Sequence, residues 1–164
     1  MNVTLTPAAP ADLPAVLDLL ERSTLPRAGI EEHLDTTIVA KEGERVVGCA
    51  AVEVYGTAGL LRSVAVEVSL RGLGMGQQLT HAALDLARGR GVRTAYLLTE
   101  TAGEYFPRFG FRRIERAQVD PAVLQSVEFK SACPASALVM QAELSSTSGP
   151  PSRQTPSPPL PGRA

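Results

Sequence analysis

Residues 61–90, LRSVAVEVSLRGLGMGQQLTHAALDLARGR, decide how the rest of the chain is read. The stretch opens on Val64, Val66 and Val68, a β-branched run that predicts a buried strand. It passes through Arg71-Gly72-Leu73-Gly74-Met75-Gly76. Met75, Leu79, Ala82, Ala83, Leu86 and Ala87 then fall at the spacing of one apolar face of a long helix. Strand, glycine-rich turn and helix together make an anion cradle. The first N–H groups of a helix lack internal acceptors and carry the positive end of its dipole. Glycines let that backbone approach a bulky anion. The expected guest is a phosphate or pyrophosphate, held by the amides of Gly72 through Gly76 with Arg71 adding charge.

Three kinds of phosphate loop compete for these residues. A Walker loop requires Lys-Ser or Lys-Thr after its last glycine, and none follows here. A dinucleotide fingerprint starting at Gly72 requires a small residue at position 77, which is Gln77. The pattern [QR]-x-x-G-x-[GA] is met by Arg71, Gly74 and Gly76. Here the chain resembles the GNAT superfamily of N-acetyltransferases, whose loop of this form binds the pyrophosphate of acetyl-CoA.

Composition bounds the alternatives. A chain of 164 residues fits one domain that buries about two-thirds of its unfolded surface. A net charge of −1 with mixed signs gives no electrostatic case for nucleic acid or an acidic membrane surface. No apolar run approaches the roughly 20 residues that span a bilayer, and no basic then apolar leader precedes Val3. Cys49 and Cys133 are too few for a disulfide framework or a zinc cluster. A cytoplasmic protein without a metal is the expectation.

Working outward, residues 2–6 alternate like an edge strand. Asp12 and Pro14 open a helix whose face is Leu13, Val16, Leu17 and Leu20. A second, shorter helix is expected over residues 26–33. Strands follow over 36–40 and 45–55, then a hairpin turned at Gly56-Thr57-Ala58-Gly59. If the two glycines close that turn, Glu53 faces Arg62 and Val54 faces Leu61. Residues 94–99 read as a buried strand, 101–108 as a short helix, and 110–114 as another strand. Asp120-Pro121 starts one helical turn, and residues 137–144 form a last strand. Residues 145–164 hold six prolines and little to bury, so they read as a disordered tail behind a domain of residues 1–144.

The order of a short helix and then Gly110-Phe111, after the strand that follows the loop, strengthens the GNAT resemblance. It implies a mixed α/β fold: a twisted central sheet of six to seven strands, about four flanking helices, and a splay at the acetyl-CoA strand. Residues 61–66, 96–102 and 129–137 are also similar to the small N-acetyltransferases of arsenic-resistance operons. That narrower likeness implies acetylation of a small anionic amine, an organoarsenical or another glutamate-analogue toxin among the choices.

Acetyl transfer needs a held thioester, a deprotonated amine and a stabilised oxyanion. In the GNAT pattern the splayed strand offers backbone groups to pantetheine, which here are those of Val64, Ala65 and Val66, with the Val66 amide as oxyanion donor. Thr99, Leu73, Met75 and Phe106 complete the expected cofactor contacts. Many members carry a Glu on that strand; this chain has Arg62 and Ser63 instead, leaving Glu53 and Glu100 as candidate bases acting through water. The pattern's Tyr is displaced as well. Its position holds Phe106, and Tyr105 reaches the sulfur only if the short helix is rotated or slipped. Arg62 suits an acceptor carboxylate or oxyanion, unless it serves only as the structural partner of Glu53. Ser63 joins it only if a bulge interrupts the strand. Cys49 reads as core, and His33 and His81 as surface. Three alternatives stay open: another amine, such as a protein N-terminus or a polyamine; a non-catalytic CoA sensor; and a homodimer as against a single chain.

Overall fold

A computed structural model describes residues 2–100, 102–132 and 136–144. Its frame is a mixed seven-stranded sheet. In chain order the strands are β1 (Val3–Pro7), β2 (Thr37–Glu42), β3 (Arg45–Tyr55), β4 (Ala58–Val66), β5 (Thr94–Thr99), β6 (Arg112–Ile114) and β7 (Leu138–Glu143). They lie side by side as β1-β2-β3-β4-β5-β7-β6, with β4 and β5 parallel and every other neighbouring pair antiparallel.

Helix α1 (Leu13–Arg22) and helix α2 (Met75–Gly89) cover opposite faces. The α2 stripe of Met75, Leu79, Ala83 and Ala87 packs on Val47, Ala50, Leu61 and Val66. Val16, Leu19 and Leu20 of α1 pack on Val39, Cys49, Ala51 and Ala65. Covered on both sides, β3 and β4 are buried along nearly their whole length, which explains their continuous apolar character. Cys49 is core as expected, and burial pushes its thiol up to about 12.

Several expectations change. The β3–β4 turn is the two residues Gly56-Thr57, since Tyr55 pairs with Ala58; Glu53 therefore faces Leu60, and Arg62 faces Ala51. Gly59 is a packing glycine: a Cβ there would lie 2.9 Å from Val52 Cγ1. No α-helix covers residues 26–33; only their end, residues 31–33, is helical, as the start of a 3₁₀ segment at Glu31–Thr36 kinked at His33. The expected helix over 101–108 is one 3₁₀ turn at Phe106–Phe109. Thus, among the described residues, two α-helices and a set of short 3₁₀ and π segments stand where about four helices were expected. Asp12 does not cap α1 with its side chain. Its carboxylate takes the Ala9 N–H and pairs with Lys41, and those contacts hold it below the ordinary aspartate range although burial opposes them. The 145–164 tail and Cys133 lie outside the described residues.

Gly48 is where α2 comes nearest the sheet. A Cβ there would sit 2.8 Å from Leu79 Cδ1 and 3.2 Å from the Ala65 carbonyl oxygen. Gly48→Ala is expected to cost about 1–3 kcal/mol in urea unfolding, the range for overfilled cores. A change within about 0.5 kcal/mol would show that α2 is seated less tightly than described.

Candidate active site

The site begins where a ladder ends. Strands β4 and β5 pair only over Ala58–Leu60 and Thr94–Tyr96, after which they separate. Strand β4 stays attached to β3, but with one residue too many. Cys49 pairs with Ala65 and Ala51 with Arg62, so Ser63 and Val64 oppose Ala50 alone. This is a β-bulge, and Ser63 carries its turn at φ +61°. The extra residue puts Leu61 and Val66 on one face, and Arg62 and Ala65 on the other.

The pairing beyond the bulge directs the backbone. Glu67 N–H donates to the Val47 carbonyl at 2.9 Å, which makes that pair a hydrogen-bonded one. Antiparallel pairs alternate, so the adjacent Val66–Gly48 pair is not hydrogen-bonded, and Val66 turns its N–H and C=O away from β3 toward the gap. On that side the Val66 carbonyl accepts Arg71 Nε at 3.0 Å.

A cleft of about 1480 Å³ runs through the gap. It is lined by Arg62 to Val66, the loop residues Arg71, Gly72, Gly74, Met75 and Gly76, and on the far bank Thr99, Glu100, Tyr105 and Phe106. Leu73 is not part of it; that side chain stands 63% exposed. Gly72 and Gly74 have φ of +85° and +83°, and nothing within 4 Å would meet their Cβ atoms. Their glycine is therefore demanded by backbone conformation rather than by crowding within the protein. Gly76 differs, because a Cβ there would lie 2.9 Å from the Tyr105 hydroxyl oxygen. Since the 3₁₀ turn starts only at Phe106, Tyr105 stands before it and reaches the cleft beside α2. Burial raises its phenol above the ordinary value, keeping it protonated at neutral pH.

Beneath the cleft lies a buried junction of charges. Arg62 and Glu53 side chains are 0% and 1% exposed, and Arg62 Nη1 donates to Glu53 Oε2 at 2.7 Å. Arg62 Nη2 donates to the Pro26 carbonyl at 3.0 Å, and Nε donates to Ser63 Oγ at 3.0 Å with Glu128 Oε2 at 3.3 Å. The bulge thus joins Ser63 to Arg62. The other Glu53 oxygen accepts the Tyr55 hydroxyl and lies 3.5 Å from His33 Nε2. Glu53 does not line the cleft. It borders a separate cavity of about 260 Å³ with Gly29, His33, Tyr55 and Lys130. His33 is therefore half-buried against a carboxylate instead of free on the surface, whereas His81 is exposed.

Sequence reading missed His33, Tyr55 and Glu128 in this junction, and Ser23 and Leu25 on the cleft wall. Tyr55 was accessible in principle, since residues two apart on a strand share a face. Glu128 was not: it reaches Arg62 from a π-helical turn, Glu128–Ala132, between β6 and β7.

Residues 33–113 match the family model described as an acetyltransferase (GNAT) domain. Over those residues the chain is similar to that family. A Chlorobaculum tepidum protein described as an uncharacterised N-acetyltransferase is 34% identical over 100 residues, 60% of this chain and 61% of that protein. An amino-acid acetyltransferase of Mycobacterium tuberculosis is 35% identical over 85 residues, 51% of this chain and 48% of that one. The chain thus spans less than two-thirds of either relative's length. The GNAT fold recurs in the crystal structure of Rv2747 from Mycobacterium tuberculosis in complex with CoA and NLQ, with a TM-score of 0.73 and 25% identity over 87% of this chain and 99% of that one.

Glu53→Ala would leave Arg62 buried with Glu128, 3.3 Å from its Nε, as the remaining carboxylate beside it. The expected loss is about 3–5 kcal/mol in urea unfolding, as for other broken buried pairs. A loss below about 1 kcal/mol would mean that the junction does not hold the sheet face together.

Proposed function

We propose that this chain is an N-acetyltransferase moving acetyl from acetyl-CoA to the free amine of a small amino-acid-like acceptor that carries a carboxylate or kindred oxyanion. The observation that carries the reading is the gap between β4 and β5. It links an anion-binding helix start to a backbone N–H turned away from its own ladder.

The N–H groups of the loop and first turn of α2 hold the pyrophosphate, and the exposed remainder of the Arg71 guanidinium adds charge. Pantetheine runs along Val64 to Val66, with Thr99 and Phe106 on the facing bank. The amine attacks the thioester carbonyl, forming the C–N bond. The Val66 N–H stabilises the oxyanion, and loss of such a donor typically costs about 2.7–4 kcal/mol of the barrier. The C–S bond then breaks. Tyr105, a protonated phenol in the cleft, serves as proton donor to the departing thiolate. Glu100, exposed at the end of β5, takes the amine proton through water. Glu53 is too fully engaged by Arg62 and Tyr55 for that task.

The acceptor lies on the Arg62–Ser63 side. The amino-acid acetyltransferase relative supports an amino-acid-like acceptor. The likeness of residues 61–66, 96–102 and 129–137 to arsenic-operon enzymes favours an organoarsenical or glutamate-analogue toxin in a cytoplasmic setting.

The test is acetyl-CoA-dependent thiol release with L-glutamate, phosphinothricin, arsinothricin, methionine sulfoximine and spermidine. Turnover restricted to the anionic amines is expected. Spermidine as the sole acceptor would overturn the acceptor class, and acetyl-CoA binding without any turnover would point to a sensor. Gly74→Val places a β-branched residue at φ +83°, and should weaken acetyl-CoA binding at least tenfold while the circular dichroism spectrum is retained. Unchanged binding would remove the phosphate-cradle assignment.

A further inference from the structure

Beyond the bulge, strand β4 keeps a neighbour on one side only. Past Leu60 it has left β5, and β3 holds it through Ala65 and Val66. Glu67 follows Val66 and carries two further ties. Its N–H donates to the Val47 carbonyl at 2.9 Å. Its carboxylate takes both prongs of the Arg22 guanidinium, Nη1 to Oε1 at 2.9 Å and Nη2 to Oε2 at 2.7 Å. Two parallel bonds of this kind fix direction as well as distance. Arg22 Nε is held by Asp18 at 2.8 Å, and Arg45 of β3 stands 3.9 Å from Glu67 Oε2. The Arg22 guanidinium keeps the Glu67 carboxyl below the usual carboxylate range, so the pair is charged at neutral pH.

Arg22 is the last residue of α1, and the chain then turns onto the cleft, where Ser23 and Leu25 form part of the wall. Thr24 between them sits at φ +58°, a left-handed conformation that a β-branched residue holds only under constraint. The constraint comes from both ends of the segment. Arg22 is fastened to Glu67 just past the end of β4. The Pro26 carbonyl accepts Arg62 Nη2, from before the bulge, at 3.0 Å. Residues 22–26 therefore bridge the part of β4 that carries the Val66 N–H, with both ends tied to that strand.

We infer that the Arg22–Glu67 pair sets the distance between the cleft wall at Ser23 and Leu25, against which the acceptor lies, and the Val66 amide. Both are positioning residues for acetyl transfer. The inference rests on the proposed acetyltransferase reading. Neither side chain touches a reacting atom. The amine must come within about 3–3.5 Å of the thioester carbonyl along a defined line, and a misplacement of about 1 Å can cost about a hundredfold in rate. The Arg22 side chain is 46% exposed, and pairs so open to water add little to folding. Loss of the pair therefore reaches the rate before it reaches stability.

The experiment compares wild type with Glu67→Ala, Arg22→Ala, Arg22→Lys and the double variant Arg22→Ala/Glu67→Ala. It reads single-turnover acetyl transfer to L-glutamate or phosphinothricin, whichever wild type acetylates faster, together with acetyl-CoA binding and urea unfolding. Each alanine variant is expected to slow transfer at least tenfold. The acetyl-CoA dissociation constant and the half-saturating acceptor concentration should stay within threefold, and unfolding should remain cooperative. The double variant should be no slower than the slower single one, because the two side chains act as a unit. Arg22→Lys, which keeps the charge without the fork, should fall between wild type and Arg22→Ala. Transfer within twofold of wild type in either alanine variant overturns the inference, as do losses that multiply in the double variant. So does a variant that loses acetyl-CoA binding in step with its rate or no longer folds, since the pair would then be a general prop of the structure. If wild type acetylates no carboxylate-bearing amine, the proposed function falls and this inference with it. Normal wild-type turnover with unslowed variants removes the inference alone.

Discussion

Strand β4 cannot satisfy two neighbours along its whole length, and the rest of the site depends on that constraint. It holds β5 through Leu60 only. Beyond that point it keeps β3 at the cost of an extra residue at Ser63-Val64, in a left-handed conformation that serine adopts with strain. A sheet interior normally leaves no backbone donor unpaired. Here the unpaired edge of β4 opens on a cleft whose other end is the start of α2, and the same chain segment supplies both. Strand, bulge, loop and helix are one continuous stretch, so the distance from the anion cradle to the Val66 amide is set by local geometry.

The bulge has a second consequence. It reverses which face later residues occupy, so that Val66 serves the α2 core as Leu61 does, while Ala65 joins Arg62, which precedes the bulge, on the α1 side. Arg62 then gathers Glu53 from β3, the Pro26 carbonyl from the loop after α1, and Glu128 from the β6–β7 connection. Three separate parts of the chain are tied to one guanidinium beneath the Arg62–Ser63 side of the cleft. Gly29 fits there because a side chain would press on Val127 Cγ1 at 2.9 Å and Arg62 Nη1 at 3.2 Å. A buried charge cluster of this kind contributes little net stability over an apolar replacement, but it is costly to break. Its value lies in fixing where the loops sit.

Much of this was legible in the sequence. The β-branched Val64 and Val66 fall in strand β4, helix α2 follows from its amphipathic period, and the glycine loop is read from its spacing. The register of β3 on β4 was misjudged because Gly59 looked like a turn residue, whereas it is glycine for want of room beside Val52 and Val92. The error was two residues, an even number, so face assignments survived and the Glu53–Arg62 pair formed diagonally instead of directly across. Arg62 was read either as substrate-facing or as the structural partner of Glu53, and in the structure its side chain is enclosed and paired with Glu53. Burial of that kind depends on loops at residues 26–30 and 123–132, whose irregular turns carry no periodicity. His33 escaped for the same reason: it sits at a kink inside the 3₁₀ segment Glu31–Thr36, where an α-helix was expected to end.

The central claim is that the gap between β4 and β5 receives the acetyl-CoA arm, and amide hydrogen exchange resolved by NMR tests it most directly. Saturating acetyl-CoA should slow exchange at Val64, Val66 and residues 72–76 by at least tenfold, and leave the paired residues Ala58–Leu60 unchanged. Protection confined to other surfaces, with the amides of β4 beyond the bulge exchanging as before, would contradict the account.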